Sequence, residues 1–596
     1  MSDEKFHFSP RPNRAADIAW SEWGEDAFQR ARDSGKPILL SLSAVWCHWC
    51  HVMDETTYSD EGVITFINQH FVPVRVDNDQ RPDINARYNM GGWPTTAFLT
   101  PEGETLAGAT YIAPDQMKEV LPKVYTHFVS NRDEITQKAI ELREKRAEVY
   151  QKAAGELTAT IFQDILRSVM NNYDPLYGGF GEAPKFPHTD AIDLLLYAHR
   201  RTGDPDSLHM ARKTLEMMYA GEVYDREWNG FFRYATRRDW SEPHYEKMLE
   251  DEAGLLRNAL GLYRITGEEG HRAIAEGIVE YIEWKLRDPD LGYFYGSQDA
   301  DEEFYKLDAE RRMDFDEPYI DRTCYTSWNA QMISAYLEAS WTLDRPDLLE
   351  HALLALAVLR DRLFVDGIMY RFLDSTEAPQ IPGLLGDQSH TALAMLDAYE
   401  VCGDSAYLDD AVRLADLLEA RYFDAEAGGF WDVTEGGDGL GRLQERQKSV
   451  QENAVVAEMF FRLGHLTRED KFLAVLKKTL QAFVGLYPEM GYFASGYATC
   501  VDLLLNPPLQ INIVGGFSNV STLHRAALSL GSPARIVQVL DPARDSERLA
   551  QLVLPAEPSP AAYVCSGSAC SAPASDVDQL LAAVRQMRAL DRQAST

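Results

Sequence analysis

A glycine followed closely by an aromatic or large apolar residue recurs six times: Gly179-Phe180, Gly230-Phe231, Gly292-Tyr293, Gly367-Ile368-Met369-Tyr370, Gly429-Phe430 and Gly491-Tyr492. The marks stand 51, 62, 75, 62 and 62 residues apart, and most follow an acidic turn such as Asp174-Pro175, Asp225-Arg226 or Asp424-Ala425. Between them, apolar residues recur at helical period in paired segments: 189–202 with 205–221, 246–265 with 269–287, 328–343 with 347–364, 389–403 with 405–421, and 452–466 with 470–487. Segments 156–172 and 494–505 bring the total to twelve. Tight polar turns such as Thr202-Gly203-Asp204-Pro205 and Cys402-Gly403-Asp404 join the members of a pair. One hairpin cannot bury its own apolar face, so a regular period predicts neighbours stacked into a continuous core. Six units and no more favour closure into an (α/α)6 toroid, with an open solenoid as the alternative.

Ahead of the repeat lies a different signal. The apolar run Pro37 to Leu42 ends at Trp46-Cys47-His48-Trp49-Cys50, which opens a helix expected over 47–69 with a break near Ser59-Asp60. A strand that delivers Cys-x-x-Cys to a helix N-terminus makes a reactive thiol, because the free N–H groups and the positive helix end stabilise the thiolate. Cys47 is the expected nucleophile and Cys50 the resolving thiol, and His48 between them adds positive charge that favours the reduced form. Residues 71–77 read as the next strand, and Trp93-Pro94 opens a third at 95–100, where a thioredoxin-like fold holds a cis-proline against its dithiol. The competing readings of Cys47 and Cys50 are an inert docking module, or half a zinc site with His48 and His51 that lacks a second ligand pair nearby. No metal or cofactor is expected.

The domains expected are a thioredoxin-like unit at 1–130, a charged helical connector at 131–154, the barrel at 155–506 and a small α/β region at 507–596. In that last region 510–514, 534–540 and 561–565 read as strands and 577–590 as a helix. Net charge is -35, from 58 basic and 93 acidic residues, which excludes nucleic acid and anionic membranes as electrostatic partners. The start, Met1 to Lys5, lacks a signal-peptide pattern, and seven scattered cysteines do not form a secreted framework, so a cytoplasmic location is expected.

Long polar loops follow each glycine mark, and unequal loops at one end of a rigid scaffold are where chemistry is placed. They carry Lys185, Trp240, His244, Glu246, Lys247, Asp299, Asp301, Trp328, Asn329, Asp387 and His390 as candidate acid/base or ligand-binding residues at the barrel mouth. Acids, histidines and flat aromatics together suit a carbohydrate. The same residues also have structural readings: Asp301 as a helix cap, the tryptophans as core, His244 and Glu246 as a closing network. Cys565 and Cys570 are candidate secondary thiols, either inert or relaying with Cys47.

Three stretches, Trp46-Cys47-His48-Trp49-Cys50-His51-Val52-Met53, Asp77 to Ile84 and Gly91-Gly92-Trp93-Pro94, resemble the N-terminal domain of the spermatogenesis-associated protein 20 family. Further along, Gly178 to Pro187, Pro243 to Leu249, Ser297-Gln298-Asp299-Ala300-Asp301, Thr326-Ser327-Trp328-Asn329 and Ala562-Tyr563-Val564-Cys565 match it too. The resemblance implies a thioredoxin-like domain ahead of a six-hairpin barrel, similar in architecture to glycosidases and sugar 2-epimerases. Departures fall in the barrel: Ala330 stands where the family has glycine, the Asp301–Asp321 stretch is shorter, and Gly386-Asp387-Gln388-Ser389 keeps part of an acidic motif. Three functions are therefore expected in competition. The first is a thiol–disulfide oxidoreductase acting on a disulfide-bearing client protein. The second is a 2-epimerase, isomerase or glycosidase acting on a small carbohydrate, and the third a non-catalytic interaction protein. The oligomeric state is not legible.

Overall fold

The computed structural model describes residues 6–147, 154–434, 439–506, 508–530, 535–557, 559–567 and 569–594. The first five residues and the end of the connector, 148–153, lie outside the described residues.

The N-terminal unit is thioredoxin-like. Helix α1 (Glu25–Ser34) precedes strand β1 (Ile38–Ser43), followed by α2 (His48–Glu55), α3 (Glu61–His70), β2 (Val72–Asp77), α4 (Pro82–Tyr88), β3 (Thr95–Leu99), β4 (Thr105–Ala109) and α5 (Pro114–Ser130). The strand order is β2-β1-β3-β4, with β1 parallel to β2 and antiparallel to β3. Every residue of β1 is buried, as a central strand covered on both faces requires. The break expected near Ser59-Asp60 in the 47–69 helix is a 3-10 turn at Thr57–Ser59, after which the helix restarts where Asp60 caps Gly62 and Val63. Helix α6 (Arg132–Ala147) follows, and its Arg146 reaches Glu104 at 3.2 Å and Glu445 at 2.6 Å.

The repeat closes. Inner helices Thr189–Thr202, Leu249–Thr266, Thr326–Thr342, Leu385–Cys402, Val450–Thr467 and Ser495–Leu505 pack each on the next, and the last packs on the first. Their outer partners are Pro205–Ala220, Glu269–Tyr281, Pro346–Val358, Ser405–Arg421, Asp470–Gln481 and Ala159–Asn172. This is an (α/α)6 toroid. The inner-to-outer turns follow capping rules: Gly203 ends its helix at φ +78°, Asp204 accepts from Ser207 N, and Pro205 starts the next helix. The glycine marks are built alike. Phe231 N donates to Glu252, Phe294 N to Asn329, Met369 N to Gln388 and Phe430 N to Asn453, in each case the fourth residue of the following inner helix.

The C-terminal unit repeats the N-terminal topology. Strands Leu509–Val514 and Arg535–Leu540 are parallel, Ala561–Ser566 is antiparallel to the first, and Ala569–Cys570 forms the edge. Helices Phe517–Leu528, Ser546–Leu552 and Val577–Ala594 complete the order. Trp93-Pro94 is cis immediately before β3, and Ser559-Pro560 is cis immediately before the corresponding strand. Where the first unit has its dithiol, the second has Gly515-Gly516-Phe517 and no cysteine.

The two units sit on opposite ends of the toroid. The first meets the N-terminal ends of inner helices, where Arg371 bridges Asp79 O to Asp387 and Ser327. Arg87 there binds Asp432 at 2.7 Å, and Gly103 meets Gly441 so closely that a Cβ on Gly103 would fall 2.3 Å from the Gly441 Cα. The second meets the C-terminal ends, where Arg544 donates to Gly403 O and Arg548 to Thr467 O. An 18-residue inner helix spans about 27 Å, which sets the separation. Among the described residues no helix is long and apolar enough to cross a membrane.

Candidate active site: a dithiol held against the barrel mouth

Cys47 is the N-cap of α2, and its Sγ accepts a hydrogen bond from Cys50 N at 3.2 Å. It is disulfide-bonded to Cys50. The two cysteines are only 3% and 2% exposed, because the barrel's loops cover the dithiol face and both belong to the barrel's hydrophobic core. Trp46 donates its Nε1 to Asp79 Oδ2 at 2.6 Å and meets Trp93 edge-on. The barrel residue Arg233 lays its guanidinium 4.1 Å over the Trp46 ring and 5.1 Å from that of Trp93. Arg233 is itself held by its backbone N–H to Glu246 O. Such cation–π stacking between domains seats the dithiol loop on the mouth.

A polar cluster flanks this loop. His51 Nε2 contacts Val45 O at 3.0 Å, and its Nδ1 lies 3.6 Å from Asp299 Oδ2. Burial pulls His51 down to about 3 and pushes Asp299 well above the carboxylate range. With its pKa at about 3, His51 carries no charge at neutral pH, so the contact is not an ion pair. His244 Nδ1 lies 3.7 Å from Glu246 Oε1, while Glu246 Oε2 is buried with no hydrogen-bond partner among the described residues. A cleft of about 470 Å³ opens beside His48 and is lined by Pro243, His244, Tyr245, Ala300 and Glu302.

Several expected residues serve the scaffold instead. Lys185 and Lys247 are fully buried: Lys185 Nζ binds Asp174 at 2.7 Å and Gly178 O, and Lys247 Nζ binds Asp225 at 2.8 Å and Asn229 O. Lys448 repeats the device with Asp424 and Gly428 O. These lysines pin the acidic turn to the glycine mark and are not free at the mouth. Trp240 is buried with its Nε1 on Tyr177 O, Asn329 carries the glycine-mark bond, and Asp301 caps Glu303 and Phe304. His390 lies one turn beyond Asp387 and lines the lumen, a cavity of about 220 Å³ with Asp193, Arg257, Glu338 and Glu458. Cys565 and Cys570 are joined to each other at the opposite end, which removes a relay within one molecule.

The structure adds residues the sequence did not single out. Glu250, Asp251 and Glu252 open an inner helix, where its positive end favours carboxylates, and Glu250 bonds Trp328. Burial raises Glu250 and Asp251, and Asp79 opposite them. Asp387 is raised by burial while Arg371 opposes the shift. The run of three acids directly after the Pro243–Leu249 motif was the available signal.

These shifts fix a pH dependence. Burial pushes Glu252 and Glu452 up to about 8 and Asp193 up to about 7. The unfolded chain releases the same protons near pH 4, so these groups remove stability as pH rises from about 4 to 8. His188, His390 and His524, each pulled down to about 4 by burial, remove stability as pH falls below about 6.5. Above pH 6.5 only the carboxylate effect remains. Thermal melts at constant ionic strength are expected to fall by about 2–6 °C between pH 6.5 and 8, whereas a flat or rising series contradicts the assignment.

The fold and site thus define a class: a thioredoxin-like domain whose dithiol faces the mouth of a six-hairpin barrel. Residues 11–146 match the family model Thioredox_DsbH, described as "Protein of unknown function, DUF255". The chain resembles the spermatogenesis-associated protein 20 family along nearly its whole length, being 25% identical to the human protein across 94% of this chain and 89% of that one. A thioredoxin H-type from Fagopyrum esculentum is 33% identical over 18% of this chain and 84% of its own. Cellobiose 2-epimerase from Spirochaeta thermophila overlays 61% of this chain and 99% of its own, with TM-score 0.47 and 16% identity.

Proposed function

We propose that the chain is a thiol–disulfide oxidoreductase whose dithiol works inside the barrel mouth on a small or extended disulfide. The observation that carries this is Cys47 at the cap of α2, paired with Cys50 and buried against the barrel, with a cleft beside the neighbouring His48. In the reduced state, the N–H of Cys50 and the α2 N-terminus stabilise the Cys47 thiolate. That thiolate attacks one sulfur of the substrate, the substrate S–S bond breaks, and its electron pair leaves on the other sulfur. Cys50 then attacks Cys47, releasing the second substrate thiol and closing the protein disulfide. A folded protein client cannot reach two cysteines this deeply covered, which narrows the substrate to a small molecule or a flexible peptide. The 33% identity to a thioredoxin H-type over 18% of this chain supports the chemistry.

A Cys50→Ser chain, reduced and mixed with oxidised glutathione, is expected to accumulate a mixed disulfide that peptide mapping places on Cys47. The unsubstituted chain is expected to accumulate none there. Failure of the variant to trap glutathione contradicts the proposal.

One observation favours a second reading, a sugar-modifying enzyme. Glu246, Glu250, Asp251 and Asp299 sit near one another at the mouth with His244 beside them, and burial raises Glu250, Asp251 and Asp299, which suits proton transfer. A sugar that raises the melting temperature of the chain, but not of a His244→Ala variant, would favour it.

A further inference from the structure

The C-terminal unit carries a second disulfide. Cys565 and Cys570 are register partners on adjacent strands and are bonded to each other. Cys565 is 1% exposed, whereas Cys570 stands exposed on the edge strand. Only residues 566–569 separate them, so the closed loop is near the minimum and the chain-entropy gain of the bond is correspondingly small. The hairpin turns without it: Gly567 adopts φ +55° and Ser566 pairs with Ala569.

The buried sulfur has a constructed partner. Asn512, 1% exposed, directs its Nδ2 donor at Cys565 Sγ across 4.0 Å. Its Oδ1 accepts from Gln538 Nε2 at 3.1 Å, and Gln538 Oε1 accepts from Tyr399 OH and Arg548. Tyr399 belongs to the inner helix Leu385–Cys402, so the barrel fixes which way the amide points. The arrangement is asymmetric: one sulfur is open to attack, and the other is buried beside an N–H that stabilises its thiolate.

We propose that Cys565–Cys570 is a second thiol-exchange site, at which an external thiol opens the disulfide by attacking Cys570 while Cys565 leaves against the Asn512 amide. The attacking sulfur bonds to Cys570, the protein S–S bond breaks, and its electron pair goes to Cys565, which takes up a proton. A second thiol from the same dithiol, or a second monothiol, then attacks the mixed disulfide. It releases Cys570 as thiolate, to be protonated, and departs as the oxidised reductant. Two electrons and two protons pass from reductant to protein. Cys47 of the same molecule is excluded as reductant, because it sits at the other end of the toroid.

The test uses the full chain carrying Cys47→Ser and Cys50→Ser, so that this disulfide alone reports. Reduced glutathione is added, the reaction is quenched by alkylation, and adducts are mapped by mass spectrometry, with folding followed by circular dichroism. Glutathione is expected on Cys570 and not on Cys565, in a chain that stays folded, and adding Asn512→Ala is expected to slow opening ~10-fold. Glutathione on Cys565, resistance of the native chain to excess thiol, or unfolding of the unit on reduction would overturn the proposal, the last marking the bond as a structural staple. If Asn512→Ala does not fold, the adduct map on the chain with Asn512 intact still decides.

Discussion

Replacing Cys47 with serine is expected to return disulfide exchange at the barrel mouth to the uncatalysed rate, with folding and melting temperature little changed. Cys47 stands at a helix N-cap, and a serine hydroxyl keeps the hydrogen bond from Cys50 N but supplies no thiolate at neutral pH. Cys50→Ser differs in kind, since it leaves attack intact and removes only resolution. The pair of variants therefore separates the two steps, measured as turnover of oxidised glutathione against adduct on Cys47. Equal activity in Cys47→Ser and the unsubstituted chain would move the chemistry elsewhere.

Arg371→Ala carries the second large effect. Arg371 is 5% exposed and holds Asp387 at 3.0 Å, Ser327 Oγ at 2.6 Å and, across the domain boundary, Asp79 O at 2.8 Å. Truncating it strands Asp387, whose Oδ2 already lacks a partner among the described residues, at a cost of about 3–5 kcal/mol. The damage is local to the boundary that covers the dithiol. Two results are expected together: a lower melting temperature, and faster alkylation of reduced Cys47 as the first domain loosens from the mouth. A lower melting temperature with unchanged alkylation would mean that Arg371 stabilises the barrel alone.

The toroid was legible because stacking forces a period, and the glycine marks record it in residue numbers. The first domain was legible because a dithiol needs a helix N-terminus and the strand before it. The C-terminal topology was hidden by one helix that was not anticipated: polar Ser518, Asn519, Ser521 and Thr522 open it, yet Val520, Leu523, Ala527 and Leu528 are buried on one face of Phe517–Leu528. Without that crossover, its strands give an unassigned α/β unit. Lys185 and Lys247 misled for a different reason. A lysine in a polar loop looks the same whether it faces solvent or a buried aspartate, and only the threefold recurrence of Asp174/Lys185, Asp225/Lys247 and Asp424/Lys448 marks them as pins. Arg371 and the Asp79 carbonyl could not be paired in advance, because nothing local links positions so far apart in the chain.

The central claim is that the dithiol works beneath the barrel, and substrate size tests it most directly. The reduced full chain is mixed with oxidised glutathione and, separately, with a folded disulfide protein such as insulin, and both rates are compared with those of Cys47→Ser. Reaction with glutathione that depends on Cys47, beside no rate above background with insulin, is the predicted result. Reduction of insulin at a comparable Cys47-dependent rate would contradict a dithiol covered by the mouth.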